Sequence, residues 1–183
     1  MSIVITGNPG VGKHTVVNNI KDIIKLPVLD LNKFAKESGL FEKISDGYEV
    51  DTDKLAQILQ KEITVPHIIV GHLAPYSISK IPIKIIIILR RHPKELATVY
   101  HQRKYSEKKV KDNLGSEILG IIVNDIINNQ KDEKIIQIDV TAKNQQQVTE
   151  AVLEAIKNEK TTTQIDWLSI MSDKELKEYF SYD

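Results

Sequence analysis

Uninterrupted apolar runs alternate along this chain with stretches of helical spacing. Ile3-Val4-Ile5, Ile68-Ile69-Val70 and Ile85-Ile86-Ile87-Ile88-Leu89 carry no polar interruption. Such short β-branched runs read as strands buried on both faces, the pattern of a parallel sheet covered by helices. Leu26-Pro27-Val28-Leu29 and residues 134–139 supply two further strands. Between them, Leu55, Ile58, Leu59 and Ile63 recur on one helical face, and helices are predicted over 16–25, 33–38, 52–63, 93–103, from about 112 to 129, and 145–157. Five strands with intervening helices predict an α/β fold, a doubly wound parallel five-stranded sheet with helices on both faces.

The punctuation agrees with this division. Asp30-Leu31-Asn32 can cap the helix over 33–38 and Gly39 closes it. Residues 41–50 carry Asp46-Gly47 between two arms and predict a small hairpin, and Asp51 or Thr52 starts the next helix. Residues 72–76 read as a loop, and Pro93 suits a first helical turn. Residues 1–160 read as one domain. The Thr-rich residues 161–164 read as a linker to a tail, 161–183, in which Ser172 and Glu175 form a capping box before Leu176, Tyr179 and Phe180. Packing of this tail on its own domain is the expectation, with partner docking as the alternative.

The chemistry lies at the first strand-to-helix junction. Gly7-Asn8-Pro9-Gly10-Val11-Gly12-Lys13-His14-Thr15 has the spacing of a phosphate-binding loop. Glycines let successive N–H groups point at a phosphate, the helix N-terminus adds positive charge, and Lys13 reaches the outer phosphates. His14 stands where this motif has a hydroxyl that binds magnesium. Imidazole is a poor substitute, because magnesium takes oxygen ligands in tight octahedral geometry. Thr15 keeps a hydroxyl, but about 100° further round the helix, closer to an inner phosphate than to the metal.

Composition narrows the partners. The 183 residues include 25 basic and 25 acidic side chains, so no net charge draws the chain to nucleic acid or an anionic membrane. There is no cysteine, which excludes disulfides and thiolate metal sites and fits a cytoplasmic protein. The N-terminus runs straight from a short strand into the loop without the form of a signal peptide, and no apolar run approaches the roughly 20 residues of a membrane helix. The most basic stretch is 104–111. It suits a segment closing over the phosphates, a solvated helix face, or, less well, an RNA contact.

Three further stretches narrow the reading. Residues 28–41, the run Asp51-Thr52-Asp53-Lys54-Leu55, and Leu89-Arg90 followed by Arg103-Lys104-Tyr105-Ser106-Glu107-Lys108-Lys109 occur in an order that resembles the adenylate kinase isoenzyme six group, also called coilin-interacting nuclear ATPase. The resemblance spans about residues 3–140. It implies a nucleoside monophosphate kinase-like P-loop fold with a monophosphate-binding insertion over 30–53 and a short lid over 102–112. It also implies ATP at the loop with magnesium carried by the nucleotide, AMP as acceptor or slow hydrolysis, and maturation of the small ribosomal subunit through one of its proteins.

By the same resemblance, Lys13, Arg103 and His72 act in catalysis, residues 7–15 and Arg103 hold ATP, and Asp30, Lys36 and Asp51 face the monophosphate. Lys36 replaces an arginine, and Val99 stands where the family has one before the lid. Val70 replaces an acid that supports the magnesium water shell, so with His14 both protein supports for the metal are replaced. His72 either positions a water or senses phosphate, or simply satisfies a backbone group. Two functions follow: an adenylate kinase-like phosphotransferase with ATPase activity, or a catalytically weak nucleotide-binding assembly factor.

Overall fold

The computed structural model describes residues 1–44, 47–130, 133–159 and 164–180. β1 (Ser2–Thr6), buried along its whole length, leads through the glycine loop into α1 (Lys13–Ile24). β2 (Val28–Asp30) leads into α2 (Leu31–Glu37), where the Asp30 side chain accepts from the N–H groups of Asn32 and Lys33. The strands β3 (Phe41–Ile44) and β4 (Gly47–Val50) pair antiparallel, and α3 (Thr52–Glu62) follows with Asp51 as its cap. Asp46 of the predicted turn lies outside the described residues.

β5 (Ile68–Val70), a single helical turn α4 (Ala74–Ser77) and β6 (Ile83–Arg90) come next. The chain continues through α5 (Pro93–Gln102), α6 (Glu107–Ile118), α7 (Ile121–Asn129), β7 (Ile135–Asp139) and α8 (Gln145–Asn158). It ends in α9 (Trp167–Ile170) and α10 (Asp173–Phe180).

The five sheet strands are parallel in the order β2-β5-β1-β6-β7. Successive strand side chains point to opposite faces, which divides the uninterrupted isoleucine runs between two cores. Ile3, Ile5, Ile85 and Ile87 pack with Val16, Ile20 and Val152 on one face. Val4, Ile69, Ile86 and Ile88 pack with Leu31, Leu55, Leu59 and Ile126 on the other. Each fully buried isoleucine contributes about 2 kcal/mol, and this requirement on both faces is why the strands read as continuous apolar runs.

Three expectations are corrected. The helix read as continuous to residue 129 is two helices, because Gly120 adopts φ 63° between Ile118 and Ile121. The predicted loop over 72–76 contains the start of α4. The basic stretch 104–111 is a turn as far as the cap residue Ser106, whose hydroxyl accepts from Lys109 N–H, and then the opening of α6. Of the predicted linker, residues 161–163 lie outside the described residues. The tail beyond it packs on the domain: Trp167 is buried with Ile118 and Met171, and Leu176, Tyr179 and Phe180 pack around them. Among the described residues, no helix is long and apolar enough to cross a membrane.

Candidate functional site

The glycine loop leaves the carboxyl end of the central strand, where open α/β sheets bind ligands. Its first glycine is held against the neighbouring strand: Gly7 has φ 137°, and a Cβ there would stand 2.3 Å from the Leu89 carbonyl oxygen. The far side of the loop is fixed by Tyr100, whose hydroxyl donates to Pro9 O at 2.7 Å. Lys13 Nζ donates to the carbonyls of Gly7 at 2.8 Å and Asn8 at 2.9 Å. Burial brings the Lys13 ammonium down to about 8, with the Arg103 charge adding to the effect, while Glu117 and Asp30 oppose it. A cation held so near neutrality gains much from a phosphate partner.

A cavity of about 550 Å³ opens over the loop. Asn8, Pro9, Gly10, Gly12, Lys13, His14 and Thr15 line it from the loop, and Arg103, Tyr105 and Lys109 line it from the turn between α5 and α6 and the start of α6. Val11 is buried and turns instead to a second cavity of about 390 Å³, where Arg91, Val140, Asn144 and Val148 line a partly apolar slot beside the loop. Gly7 lines neither cavity. Lys109 is held in place: its Nζ sits 4.3 Å from the centre of the Tyr105 ring, which stacks on Tyr100 at 5.5 Å.

His72 lines the same cavity at the end of β5. Burial holds its imidazole down to about 4, and the Lys13 charge adds to this. The ring is therefore neutral at ordinary pH. Asn32 Nδ2 lies 3.3 Å from His72 Nδ1. An amide donating there leaves the ring proton on Nε2, available to a phosphate or water.

The three residues assigned to the monophosphate are not brought together. Asp30 spends Oδ1 on the N-terminus of α2 and holds His14 Nε2 at 2.8 Å with Oδ2. Lys36 is exposed on α2, and Asp51 caps α3 and lines a separate surface cavity with Glu42 and Glu49. Neither lines the large cavity.

Sequence reasoning passed over Glu117, Ser116 and Asn113. Glu117 is fully buried and accepts from Asn8 Nδ2 at 2.7 Å, while Ser116 Oγ donates to Asn8 Oδ1 at 3.0 Å. Arg90 Nε donates to Glu117 Oε1 at 2.7 Å, and Arg90 also takes the Glu117 backbone carbonyl near the end of α6 at 2.7 Å. The available signal was an acid on the apolar stripe of Val110, Leu114 and Ile118.

The donor set suits polyphosphate better than a protein-held metal. His14 is engaged with Asp30, and Val70 is a fully buried hydrocarbon in the position of the expected acid. No group of three or more metal-binding side chains occurs among the described residues. The His14 nitrogen, engaged with Asp30, does not fit direct coordination of magnesium at the position after the loop lysine.

Comparisons with known proteins bear on this geometry. Residues 3–120 match the family described as an AAA domain. A protein of Pyrococcus furiosus named "Putative adenylate kinase" is 31% identical over 176 residues, covering 94% of both chains. One of the same name from Thermococcus onnurineus is 29% identical over 170 residues, covering 91% of both. Among solved structures, a gluconokinase from Sinorhizobium meliloti superposes with a TM-score of 0.57 at 16% identity, covering 86% of this chain and 91% of that one. A shikimate kinase from Bacteroides thetaiotaomicron gives 0.53 at 19% identity, covering 86% and 98%. These neighbours show the α/β fold of P-loop kinases.

Proposed function

We propose that this chain, which belongs to the AAA-domain family and to its adenylate kinase-like members, transfers a phosphoryl group from ATP to AMP, with slow ATP hydrolysis as a side activity. The observation that carries the reading is the opposition of Lys13 in the glycine loop to Arg103 and Lys109 across one cavity. Phosphoryl transfer needs little covalent help from a protein. It needs positive charge around the moving group and exclusion of water.

In this reading the loop N–H groups and Lys13 bind the ATP phosphates, and the slot beside Val11, Val140 and Val148 takes the base. Arg103 neutralises charge on the transferred group, and the neutral His72 donates from Nε2 to a phosphate oxygen or a water. Magnesium arrives with the nucleotide. Asp30, Lys36 and Asp51 meet AMP only after the insertion over 30–53 moves toward the loop.

One observation favours a second reading. The His14–Asp30 contact and the buried Val70 stand at the two positions where the motif would support magnesium. A catalytically weak factor, in which ATP alters affinity for a small-subunit ribosomal protein, fits those two replacements and the resemblance noted above.

ADP formation from ATP and magnesium, with and without AMP, separates these readings in wild type and Lys13→Ala. AMP-dependent turnover abolished by Lys13→Ala supports the kinase. AMP-independent turnover supports an ATPase. ATP binding with turnover no greater than that of the variant favours the binding factor.

A further inference from the structure

The C-terminal tail reaches the phosphate loop through one buried acid. Trp167 Nε1 donates to Glu117 Oε1 at 2.8 Å, and the other carboxylate oxygen accepts from Asn8 Nδ2 at 2.7 Å. The Asn8 carbonyl in turn accepts from Lys13 Nζ at 2.9 Å. Three hydrogen bonds therefore separate the indole of the tail from the loop lysine. Every side chain in this path is buried: Trp167 is 3%, Glu117 0%, Asn8 4% and Lys13 6% exposed. Water cannot replace a lost partner cheaply there.

The tail has a second hold on the same acid. Arg90 donates to Ile165 O at 3.3 Å while its Nε binds Glu117, and its guanidinium lies 5.9 Å from the centre of the Trp167 ring. The tail thus bonds both members of the Arg90–Glu117 pair. Ordinary packing of a terminal helix would need only apolar contact with the domain, as at Ile118, not an indole N–H aimed at the carboxylate that orients Asn8.

We propose that docking of the tail positions the phosphate loop, with Trp167 and Glu117 as positioning residues, so that tail docking and nucleotide binding strengthen one another. The coupling is reciprocal by linkage: a loop ordered by ATP phosphates holds Asn8 and Glu117 and favours the docked indole. A partner that draws the tail away lowers ATP affinity. This rests on the reading that the loop binds ATP, but the tether itself is measurable without nucleotide.

Trp167→Phe keeps an aromatic ring in the pocket and removes only the N–H donor. Amide exchange over residues 7–13 of the nucleotide-free chain is expected to accelerate about fivefold, with exchange over 145–158 unchanged. The dissociation constant for ATP with magnesium, read by calorimetry, is expected to rise about fivefold, the low end of coupling between sites. Unchanged exchange in the loop with unchanged ATP affinity would overturn the tether and leave the proposed function standing. Faster loop exchange in a protein that binds no ATP would overturn the proposed function and leave the tether standing.

Should Trp167→Phe fail to fold, the unaltered chain decides. Trp167 is the single tryptophan, so its emission reports this position alone. Emission that shifts on adding ATP to wild type but not to Lys13→Ala supports the coupling. Constant emission while calorimetry registers ATP binding refutes it.

Discussion

His14 Nε2 lies 2.8 Å from Asp30 Oδ2, so the residue after the loop lysine is tied to the end of β2. The imidazole side chain is 58% exposed, and a polar contact this wet contributes less than about 1 kcal/mol. His14→Thr is therefore expected to leave the melting temperature nearly unchanged, while Asp30 keeps its bonds to Asn32 and Lys33. The new hydroxyl supplies the kind of ligand that magnesium accepts. ADP formation should rise about tenfold, equivalent to about 1.4 kcal/mol of barrier, and become more sensitive to magnesium concentration; a magnesium titration of turnover in both proteins checks this.

Lys13 gives a pH signature of opposite sign for stability and for binding. Its folded value, about 8, lies below the unfolded 10.5, so between those values the unfolded chain holds more protons. Unfolding free energy is expected to rise with pH across that window, by up to about 3 kcal/mol, relative to Lys13→Ala. ATP binding follows the charge instead: affinity should fall above about pH 8, delayed to the extent that bound phosphate stabilises the ammonium. Calorimetric titrations at pH 7, 8 and 9 read the second effect, and denaturant midpoints over pH 7 to 10 the first.

His72 behaves differently, because its value is depressed to about 4. The unfolded chain takes up this proton near pH 6.5 and the folded chain does not, so stability falls as pH drops from about 6.5 to 4. His72→Asn is expected to flatten that part of the stability profile. Turnover between pH 5 and 8 should show no step that His72→Asn removes.

Two glycines of the loop separate backbone strain from steric clash. Gly12 has φ 98°, and nothing stands within 4 Å of a Cβ built there. Gly12→Ala should cost about 1–3 kcal/mol through conformation alone. Gly7→Ala adds a clash with the Leu89 carbonyl, which cannot retreat without breaking the sheet, and is expected to unfold the chain at a lower denaturant concentration than Gly12→Ala. Paired denaturant titrations measure the difference.

The sheet was legible in the sequence because a strand covered on both faces has no polar position to hide, as in Ile85 to Leu89. Asp30 and Asp51 were legible as caps for a local reason: each accepts from backbone two or three residues ahead. The same two side chains stand apart in the structure, each with one carboxylate oxygen engaged at a helix start, and local spacing carries no sign of that separation. The break at Gly120 went unread because one glycine in a helical pattern costs only about 1 kcal/mol and leaves the apolar stripe in phase.

Glu117 escaped for the converse reason. Its partners Arg90, Trp167 and Asn8 are 27, 50 and 109 positions distant. Nothing in local spacing brings them together. Lys109 was legible only as part of a basic run, and its exposed neighbours carry the same letter.

The strand order has a consequence for synthesis. β1 is flanked by β5 and β6, and Gly7 leans on Leu89, which is made more than eighty positions later. The phosphate loop is made before the strands that hold it, and it takes its shape only when long-range parallel pairing has closed around β1. A nascent chain halted before β6 carries the whole motif as letters without the strand that Gly7 leans on, so nucleotide can steady the loop only once β6 has paired with β1.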